Sequence, residues 1–335
     1  MTVVAVSKNK DPYKATTVTL ELIIDEIKHS LPERAVIKPN VLSEHRDGCV
    51  VTDPRICEVT VDFLRAQGVE DFILAEGTTN SKVRGKADTI VAFENHGFSR
   101  LRKKWSMLDL NFDEPADWFE IHSPGLNYRV QLGMAKTVAS NYTISAAKFK
   151  THDVLGLTLS LKNMMGSICA ARNADTEQVI ARGPISKAYM HGFGDRETDD
   201  LTTDQNTGPS KLALAVNLVR MAKRAKPSLA IIDGVTAMEG DGPINGSKKE
   251  LGIVLASVDP VAVDTVAAYI AGFDIRETGY IYASGLRGIG ENRLDKIEIV
   301  GEKLQDLRSN FTPHKLFPKC RMTNQEIDKV EELTA

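Results

Sequence analysis

Short apolar runs alternate with amphipathic stretches along the chain, and this pattern predicts an α/β fold. Residues 35–38 are typical of a short buried strand. Asp53 and Pro54 then supply a helix N-cap and a proline at the first helical position, and Gly68 ends the helical spacing. Residues 72–75 predict the next strand. Together these segments form a βαβ unit, so we expect a parallel pair of strands with a right-handed crossover.

Later apolar runs extend the same pattern. Further strands are predicted over residues 142–147, 229–232, 252–256 and 297–300. Helices are predicted over residues 87–94, 209–225 and 260–271 and over the last fifteen residues. Residues 155–161 alternate like a strand, but the leucines and methionines of residues 157–165 also fit one helix face, so periodicity leaves both readings open.

The predicted fold class is α/β, with a mostly parallel Rossmann-like sheet flanked by helices and a second, smaller α/β lobe. A length of 335 residues suggests about two domains. We predict an N-terminal α/β lobe in residues 1–135, a second α/β lobe in residues 136–310 and a C-terminal surface tail in residues 311–335. The polar residues 183–207 predict a flexible cover, with hinge freedom from Gly183, Gly192, Gly194 and Gly208.

The composition limits the kinds of partner and the cellular location that we expect. The formal net charge is −3, so no overall positive field attracts nucleic acid or an anionic membrane, and neither is expected as a partner. No apolar run approaches 18 residues, and no signal peptide is recognisable. The four cysteines lack C-x-x-C spacing, which favours a cytoplasmic location. The oligomeric state stays open.

Polar side chains follow the predicted strands at the point where each strand ends. These groups lie in residues 38–40, 76–79 and 148–152 and at Asp233 and Asp259. Ligands of open parallel sheets bind beyond the carboxyl ends of the strands. We therefore expect one small-molecule cleft, lined by Lys38, Glu76, Lys148, His152, Lys162, Asp233 and Glu239.

Lys148, Lys150 and His152 alternate along one predicted strand, which places them on one face. Three neighbouring cations repel one another unless an anion or carboxylates face them. A solvated basic edge is one explanation. The other is a clamp for a carboxylate or phosphate, with His152 as proton donor or metal ligand.

Lys162 lies in an otherwise apolar stretch, where an unpaired ammonium is costly to bury. We expect it either to pair with a carboxylate such as Asp264 or Asp233, or to act as a neutral base. The predicted catalytic residues are His152, Lys162 and Lys148. The predicted ligand-binding residues are Lys38, Asn40, Glu76, Thr78, Lys150, Asn163, Gly166, Asp233, Gly240 and Gly242.

Residues 238–247 form a glycine-rich segment that matches neither a Walker loop nor a dinucleotide fingerprint. Its glycines would let the backbone approach a ligand closely. Glu239 and Asp241 would repel phosphate and favour Mg²⁺ or a cationic group, so they are the candidate metal ligands. A plain tight turn is the alternative.

Taken in order, these motifs resemble the uncharacterised family known as domain of unknown function 362. The resemblance covers roughly residues 34–300 and rests on Lys38-Pro39-Asn40, Glu76-Gly77, Lys148-x-Lys150-x-His152, Lys162-Asn163-x-x-Gly166, Asp233, Met238-Glu239-Gly240-x-Gly242-Pro243 and Asp259-Pro260-Val261-Ala262-Val263-Asp264. The family has no agreed activity, so the resemblance implies a shared fold rather than a reaction.

Many relatives in that family carry cysteine-rich ferredoxin segments with iron–sulfur clusters. This chain lacks such a segment, so no iron–sulfur cluster is expected. The fold is also distantly similar to the lactate racemase family, whose members use a nickel-pincer cofactor and histidine acid–base pairs.

Two classes of function stay open. One is an enzyme that acts on a small anionic ligand, a carboxylate or phosphate, by lysine and histidine acid–base chemistry, with or without a divalent metal; isomerase- or racemase-like and metal-assisted reactions are both open. The other is a non-catalytic protein that binds or carries a cofactor or metal. Both require the same strand-end residues, and they differ in whether a proton-transfer pair reaches the ligand.

Overall fold

The computed structural model describes residues 1–44, 49–79, 88–101, 104–194 and 207–335. Its strands are β1 (Thr2–Lys8), β2 (Arg34–Pro39), β3 (Asp71–Glu76), β4 (Ser106–Asp109), β5 (Pro115–Glu120), β6 (Val130–Ala135), β7 (Tyr142–His152), β8 (Gly156–Thr158), β9 (Ile168–Asn173), β10 (Val179–Arg182), β11 (Leu229–Glu239), β12 (Ser247–Ser257) and β13 (Ile297–Gly301).

The α-helices are α1 (Pro12–Leu22), α2 (Ile24–Lys28), α3 (Pro54–Ala66), α4 (Thr89–Asn95), α5 (Lys136–Ala139), α6 (Ser160–Asn163), α7 (Pro184–Ala188), α8 (Thr207–Ala222), α9 (Pro260–Ala271), α10 (Ile275–Thr278), α11 (Tyr280–Leu286), α12 (Phe317–Cys320) and α13 (Asn324–Thr334). None of the helices in these described ranges combines the length and apolar content needed to cross a bilayer.

A large, mostly parallel sheet organises the molecule, as the sequence predicts. Its strand order is β13-β1-β12-β11-β7-β2-β3-β4, and the short β8 pairs with β7. The strands β11, β7, β2, β3 and β4 run parallel to one another. Their carboxyl ends therefore meet at one edge of the sheet, which is the arrangement that brings strand-end side chains together.

The strand β12 runs antiparallel to both β1 and β11. Its carboxyl end consequently lies at the opposite edge of the sheet, so Asp259 does not join the other strand-end groups. Asp259 instead caps α9 by accepting hydrogen bonds from the backbone N–H groups of Val261 and Ala262. The segment between Glu239 and Ser247 connects β11 to β12 as a hairpin, and its loop over residues 240–246 is longer than a tight turn.

Apolar residues cover both faces of the large sheet. On β7, Ile144 and Ala146 belong to one buried cluster, whereas Ala147 and Phe149 belong to the other. This alternation is the period-two pattern of a strand packed on both sides. The helix α3 begins at the predicted N-cap, where Asp53 accepts a hydrogen bond from the N–H of Arg55.

A second sheet has the order β10-β9-β6-β5 and is antiparallel throughout. Both sheets use strands from either side of residue 135, so the predicted boundary at that residue does not separate the sheets. The division into lobes stays a prediction. The C-terminal residues 324–334 form α13, which buries Ile327 and Val330.

The ambiguous segment 155–165 contains both kinds of structure. It starts with β8, continues into α6, and then enters a 3₁₀ turn over Met164–Ser167. Of the predicted flexible cover, residues 195–206 lie outside the described residues. Residues 183–194 include α7 and a 3₁₀ turn over Tyr189–His191, so the first half of the cover is partly helical.

Candidate functional site

A cavity of about 120 Å³ lies where β2, β3 and β7 end. The backbone after β2 and β3 forms one part of its wall, and α6 with the following 3₁₀ turn forms another. The ionisable side chains in the wall are Lys38, Glu76, Lys150, His152, Lys162 and Lys187. Five of these six are predicted site residues, and the structure brings them together around one cavity.

Lys38 and Glu76 form an ion pair inside the wall. The Nζ atom of Lys38 lies 2.7 Å from Glu76 Oε1 and 2.8 Å from Glu76 Oε2, and both side chains are almost fully buried. The Asn163 amide holds this lysine, since its Oδ1 accepts from Lys38 Nζ at 3.2 Å. Burial lowers the pKa of Lys38, and the Glu76 charge opposes that effect.

Two glycines allow the backbone segments around this ion pair to pack closely. A Cβ atom on Gly166 would lie 2.0 Å from Glu76 Oε1 and 2.8 Å from Lys38 Nζ. A Cβ atom on Gly77 would lie 2.3 Å from the Gly166 carbonyl oxygen. The backbones therefore touch where any side chain would push the ion pair apart, which explains the glycine in each motif.

Lys150 is the most perturbed lysine of the cavity. It is 1% exposed, and its Nζ donates to the Val50 carbonyl oxygen at 2.9 Å. Burial, followed by the nearby charges of Lys162 and Lys148, lowers its pKa to about 7. Near neutral pH the side chain is therefore divided between amine and ammonium forms.

Lys162 pairs with neither carboxylate that the sequence suggested. Asp264 instead accepts the backbone N–H groups of Ser160 and Leu161 at 2.8 and 3.0 Å, and Asp233 pairs with Lys148. The Nζ of Lys162 lies 3.8 Å from Met165 Sδ. Burial lowers the pKa of Lys162 to about 8, which agrees with the alternative of a lysine that is partly neutral.

His152 ends β7 and has a neutral ring at physiological pH. Burial and the charge of Lys162 lower its pKa to about 4, although Asp153 Oδ1 lies 2.8 Å from its Nδ1. An imidazolium proton donor is therefore disfavoured at this position. His152 is the one histidine among the described residues of the cavity wall, so the wall offers no counterpart to a histidine acid–base pair.

Lys187 was missed by sequence reasoning. It lies on α7, is 3% exposed, and hydrogen-bonds to Oδ1 of Asn111. Asn111 is fixed in turn because its Nδ2 donates to the Thr78 carbonyl oxygen at 3.0 Å. Burial lowers the pKa of Lys187 to about 8. A proline at the start of α7 predicts a helix, but nothing in the local pattern links this lysine to the end of β3.

Lys148 and Asp233 lie in a separate cavity. Lys148 Nζ lies 2.8 Å from Asp233 Oδ2, and the two side chains are 4% and 0% exposed. Asp233 also accepts the N–H of Asp53 at 2.9 Å. They line a second cavity of about 350 Å³ together with Thr52, Arg55 and Glu250. The described structure thus distributes the predicted single cleft over two cavities.

The described structure places the two carboxylates of the glycine-rich segment in ion pairs with lysines. Glu239 pairs with Lys249 at 2.7 Å, and Asp241 lies 3.2 Å from Lys315 Nζ. No group of three or more metal-ligand side chains occurs in the part of the chain that the structure describes. The assignment of Glu239 and Asp241 as metal ligands stays a prediction.

Of the remaining predicted residues, one lines the cavity and the others hold neighbouring chain segments together. Asn40 lies in the cavity wall, whereas the hydroxyl of Thr78 donates to the Val41 carbonyl oxygen at 2.8 Å and ties the chain after β3 to the chain after β2. Gly240 has a φ of +77° and donates its N–H to Thr312. A Cβ atom on Gly242 would lie 2.2 Å from the Thr151 carbonyl oxygen, so this glycine lets the hairpin reach β7.

Comparisons with known proteins agree with the fold and the motifs. The family model described as "Domain of unknown function (DUF362)" matches residues 35–269. A curated relative, the "Thylakoid-associated protein sll1697" of Synechocystis sp., is 25% identical over 245 residues, covering 72% of this chain and 64% of that protein. The chain thus spans less than two thirds of the relative's length. On the extent of the family match and the motifs within it, this chain belongs to the domain of unknown function 362 family.

Proposed function

We propose that this chain is an enzyme that binds a small anionic ligand, a carboxylate or phosphate, in the cavity at the ends of β2, β3 and β7, and acts on it by lysine acid–base chemistry. One observation carries the proposal: Lys38, Lys150, Lys162 and Lys187 converge on one small cavity, and the described part of its wall contains a single carboxylate, Glu76. Buried cations in such excess repel one another unless a bound anion compensates them.

The two proposed proton-transfer residues are Lys150 and Lys162. Their pKa values of about 7 and about 8 lie close to physiological pH, where both protonated and neutral forms are populated. A general acid or base works best under this condition. The Lys38–Glu76 pair and Lys187 would orient the ligand, while neutral His152 would offer a hydrogen bond rather than a charge.

A cytoplasmic location is part of the proposal. All four cysteines are buried thiols with no disulfide among them. Such thiols persist in a reducing compartment, whereas oxidising compartments favour disulfides. Detection of the intact chain in a membrane or lumenal fraction of its own cells would contradict this location.

Native mass spectrometry of the purified protein tests the binding part of the proposal. We expect a bound small anion in the wild-type protein, and its loss in the double variant Lys150→Met/Lys162→Met. The variant Lys136→Met is the matched control, because it removes a lysine whose side chain is 63% exposed and lies outside the cavity. The control should keep the anion.

Incubation in D₂O tests the catalytic part. An enzyme that moves a proton on carbon exchanges a C–H hydrogen of the co-purified anion for deuterium, which nuclear magnetic resonance detects. Exchange that requires Lys150 and Lys162 supports the enzyme. Tight binding without exchange or turnover identifies a carrier instead. If the protein contains no anion and neither phosphate nor malonate raises its melting temperature, the proposal is wrong.

A further inference from the structure

The short helix α6, which carries Lys162 into the cavity wall, is capped by a residue of another helix. Its N-cap residue is Leu159, which makes no side-chain capping bond, and the Ser160 hydroxyl has no hydrogen-bond partner among the described residues. Asp264 of α9 accepts the first two N–H groups of α6 instead, at 2.8 and 3.0 Å. A side chain 104 residues away in the chain therefore supplies the cap and ties α6 to α9.

Two bonds to successive N–H groups fix the rotation of α6 as well as its position. Asp264 Oδ1 accepts from Ser160 and Oδ2 accepts from Leu161, whereas a single bond would act as a pivot. Successive side chains of a helix point about 100° apart. A rotation of that size would move Leu161 out of the core and turn Lys162 away from the cavity. With only four residues, α6 is too short to hold its conformation without such contacts.

A carboxyl group is a costly choice for this cap. Asp264 is fully buried, and in the part of the chain that the structure describes no ion pair joins it to a cationic side chain. Burial raises the pKa of Asp264 to about 8, although the N–H groups of Leu161 and Ser160 oppose this effect. A buried charge is weak evidence for stability. The advantage of the carboxylate is geometric, because its two oxygens accept two neighbouring N–H groups at once.

We propose that Asp264 is a positioning residue of the cavity, which sets the rotation of α6 so that Lys162 faces the ligand and Asn163 reaches Lys38. Asn163 is the last residue of α6; its Oδ1 accepts from Lys38 Nζ at 3.2 Å and its Nδ2 donates to the Lys38 carbonyl oxygen at 3.1 Å. Asp264 is not among the residues that line the cavity, so it acts through α6. The role of Lys162 toward a ligand rests on the proposed function.

Asp264→Asn is the test variant, because it keeps the shape of the side chain and places an NH₂ group against one of the two N–H groups. Thr265→Val is the matched control on α9, since Thr265 is almost equally buried and its hydroxyl has no hydrogen-bond partner among the described residues. Asp264→Ala removes the cap without adding a donor, and it replaces the asparagine variant if that variant folds poorly.

A double-mutant cycle measures whether Asp264 acts through Lys162. Calorimetry with malonate at pH 7.5 gives the affinity of the full chain with and without each substitution. We expect Asp264→Asn to lower the affinity about fivefold in the wild-type background and less than about twofold in the Lys162→Met background, because substitutions that act through one residue do not add. Thr265→Val should leave the affinity unchanged in both backgrounds.

A second measurement needs no ligand. Nuclear magnetic resonance of isotope-labelled lysine follows the titration of Lys162, whose signal is absent from Lys162→Met. Burial lowers the pKa of Lys162 to about 8. The other ionisable groups near it are Lys38, Lys150, His152 and Asp153. If Asp264→Asn releases α6, the pKa of Lys162 should rise towards the ordinary value of 10.5, whereas Thr265→Val should leave it unchanged.

The outcomes separate this inference from the function proposed for the cavity. An unchanged Lys162 pKa in the folded Asp264 variant overturns the positioning role, and so does an equal loss of malonate affinity in both backgrounds. A wild-type chain that binds neither malonate nor phosphate overturns the proposed function. The titration of Lys162 then decides the positioning role by itself.

Discussion

Lys148 and Lys150 stand two residues apart on one strand and are almost equally buried, yet their surroundings differ. Lys148 pairs with Asp233, which backbone N–H groups also hold. Among the described residues, Lys150 hydrogen-bonds to the carbonyl oxygen of Val50, and it lies near two other lysines. A buried lysine with a fixed carboxylate suits a structural role, whereas one whose described neighbours supply no such partner suits a site that an outside anion completes.

Stability measurements should separate the two lysines most clearly. Lys148→Met leaves the Asp233 carboxylate buried without its cation, and we expect a loss of about 3 kcal/mol in the free energy of unfolding. Lys150→Met removes a buried charge that has no carboxylate partner among the described residues, and we expect no loss of stability, or a gain of about 1–4 kcal/mol. Chemical denaturation of both variants measures the difference. An equal loss in both would show that Lys150 is as structural as Lys148.

A smaller but more specific effect is expected at Lys162. Lys162→Met keeps most of the packing volume and removes one cation from the wall, so malonate affinity should fall about tenfold. The melting temperature should change by less than about 3 °C. Calorimetry and thermal unfolding on the same samples test this, with Lys136→Met as the control. Unchanged affinity would remove Lys162 from the site, whatever happens to stability.

The pH dependence of stability offers a separate test of the three buried lysines with low pKa values. Lys150, Lys162 and Lys187 have lower pKa values in the folded chain than the ordinary value of 10.5. From about pH 7 to that value the unfolded chain binds more protons, so stability should rise with pH across this window. Each lysine contributes at most about 1.4 kcal/mol per pH unit. Denaturation at pH 7, 8 and 9 should give a shallower rise for Lys150→Met than for Lys136→Met, and identical slopes would contradict the low pKa of Lys150.

Ligand binding should return the three lysines to their protonated forms. An anion in the cavity favours the ammonium forms, so binding of malonate at pH 8 should take up about one to two protons. Calorimetry in two buffers of different ionisation enthalpy measures the uptake. Proton release on binding would contradict the assignment of the lysines as the anion contacts.

The strand-end groups were predictable because parallel strands deliver their last residues to one edge. Lys38, Glu76, Lys150 and His152 all follow this rule. Asp259 fails it because an apolar run does not reveal the direction of its strand, and β12 is antiparallel. The turn between β11 and β12 was the only local sign of that reversal.

Two other features required three-dimensional information. Alternation predicts one face for Lys148 and Lys150, but these long side chains reach different cavities because their polar partners, Asp233 and Val50, lie in different places. Lys187 enters the site through its hydrogen bond to Asn111, which is 76 residues away in the chain. No period of the sequence encodes a contact between two short helical segments at that separation.

The low pKa of Lys150 has a consequence for its chemical reactivity. At neutral pH an exposed lysine is almost entirely ammonium and therefore unreactive, whereas burial lowers the pKa of Lys150 to about 7 and leaves a far larger share of its side chains as the free amine. A small aldehyde or acylating reagent that enters the cavity should therefore modify Lys150 before the far more numerous surface lysines. Mass-spectrometric mapping would identify the first residue that is modified. Modification at Lys150 would attach a covalent label to the site before its natural ligand is identified.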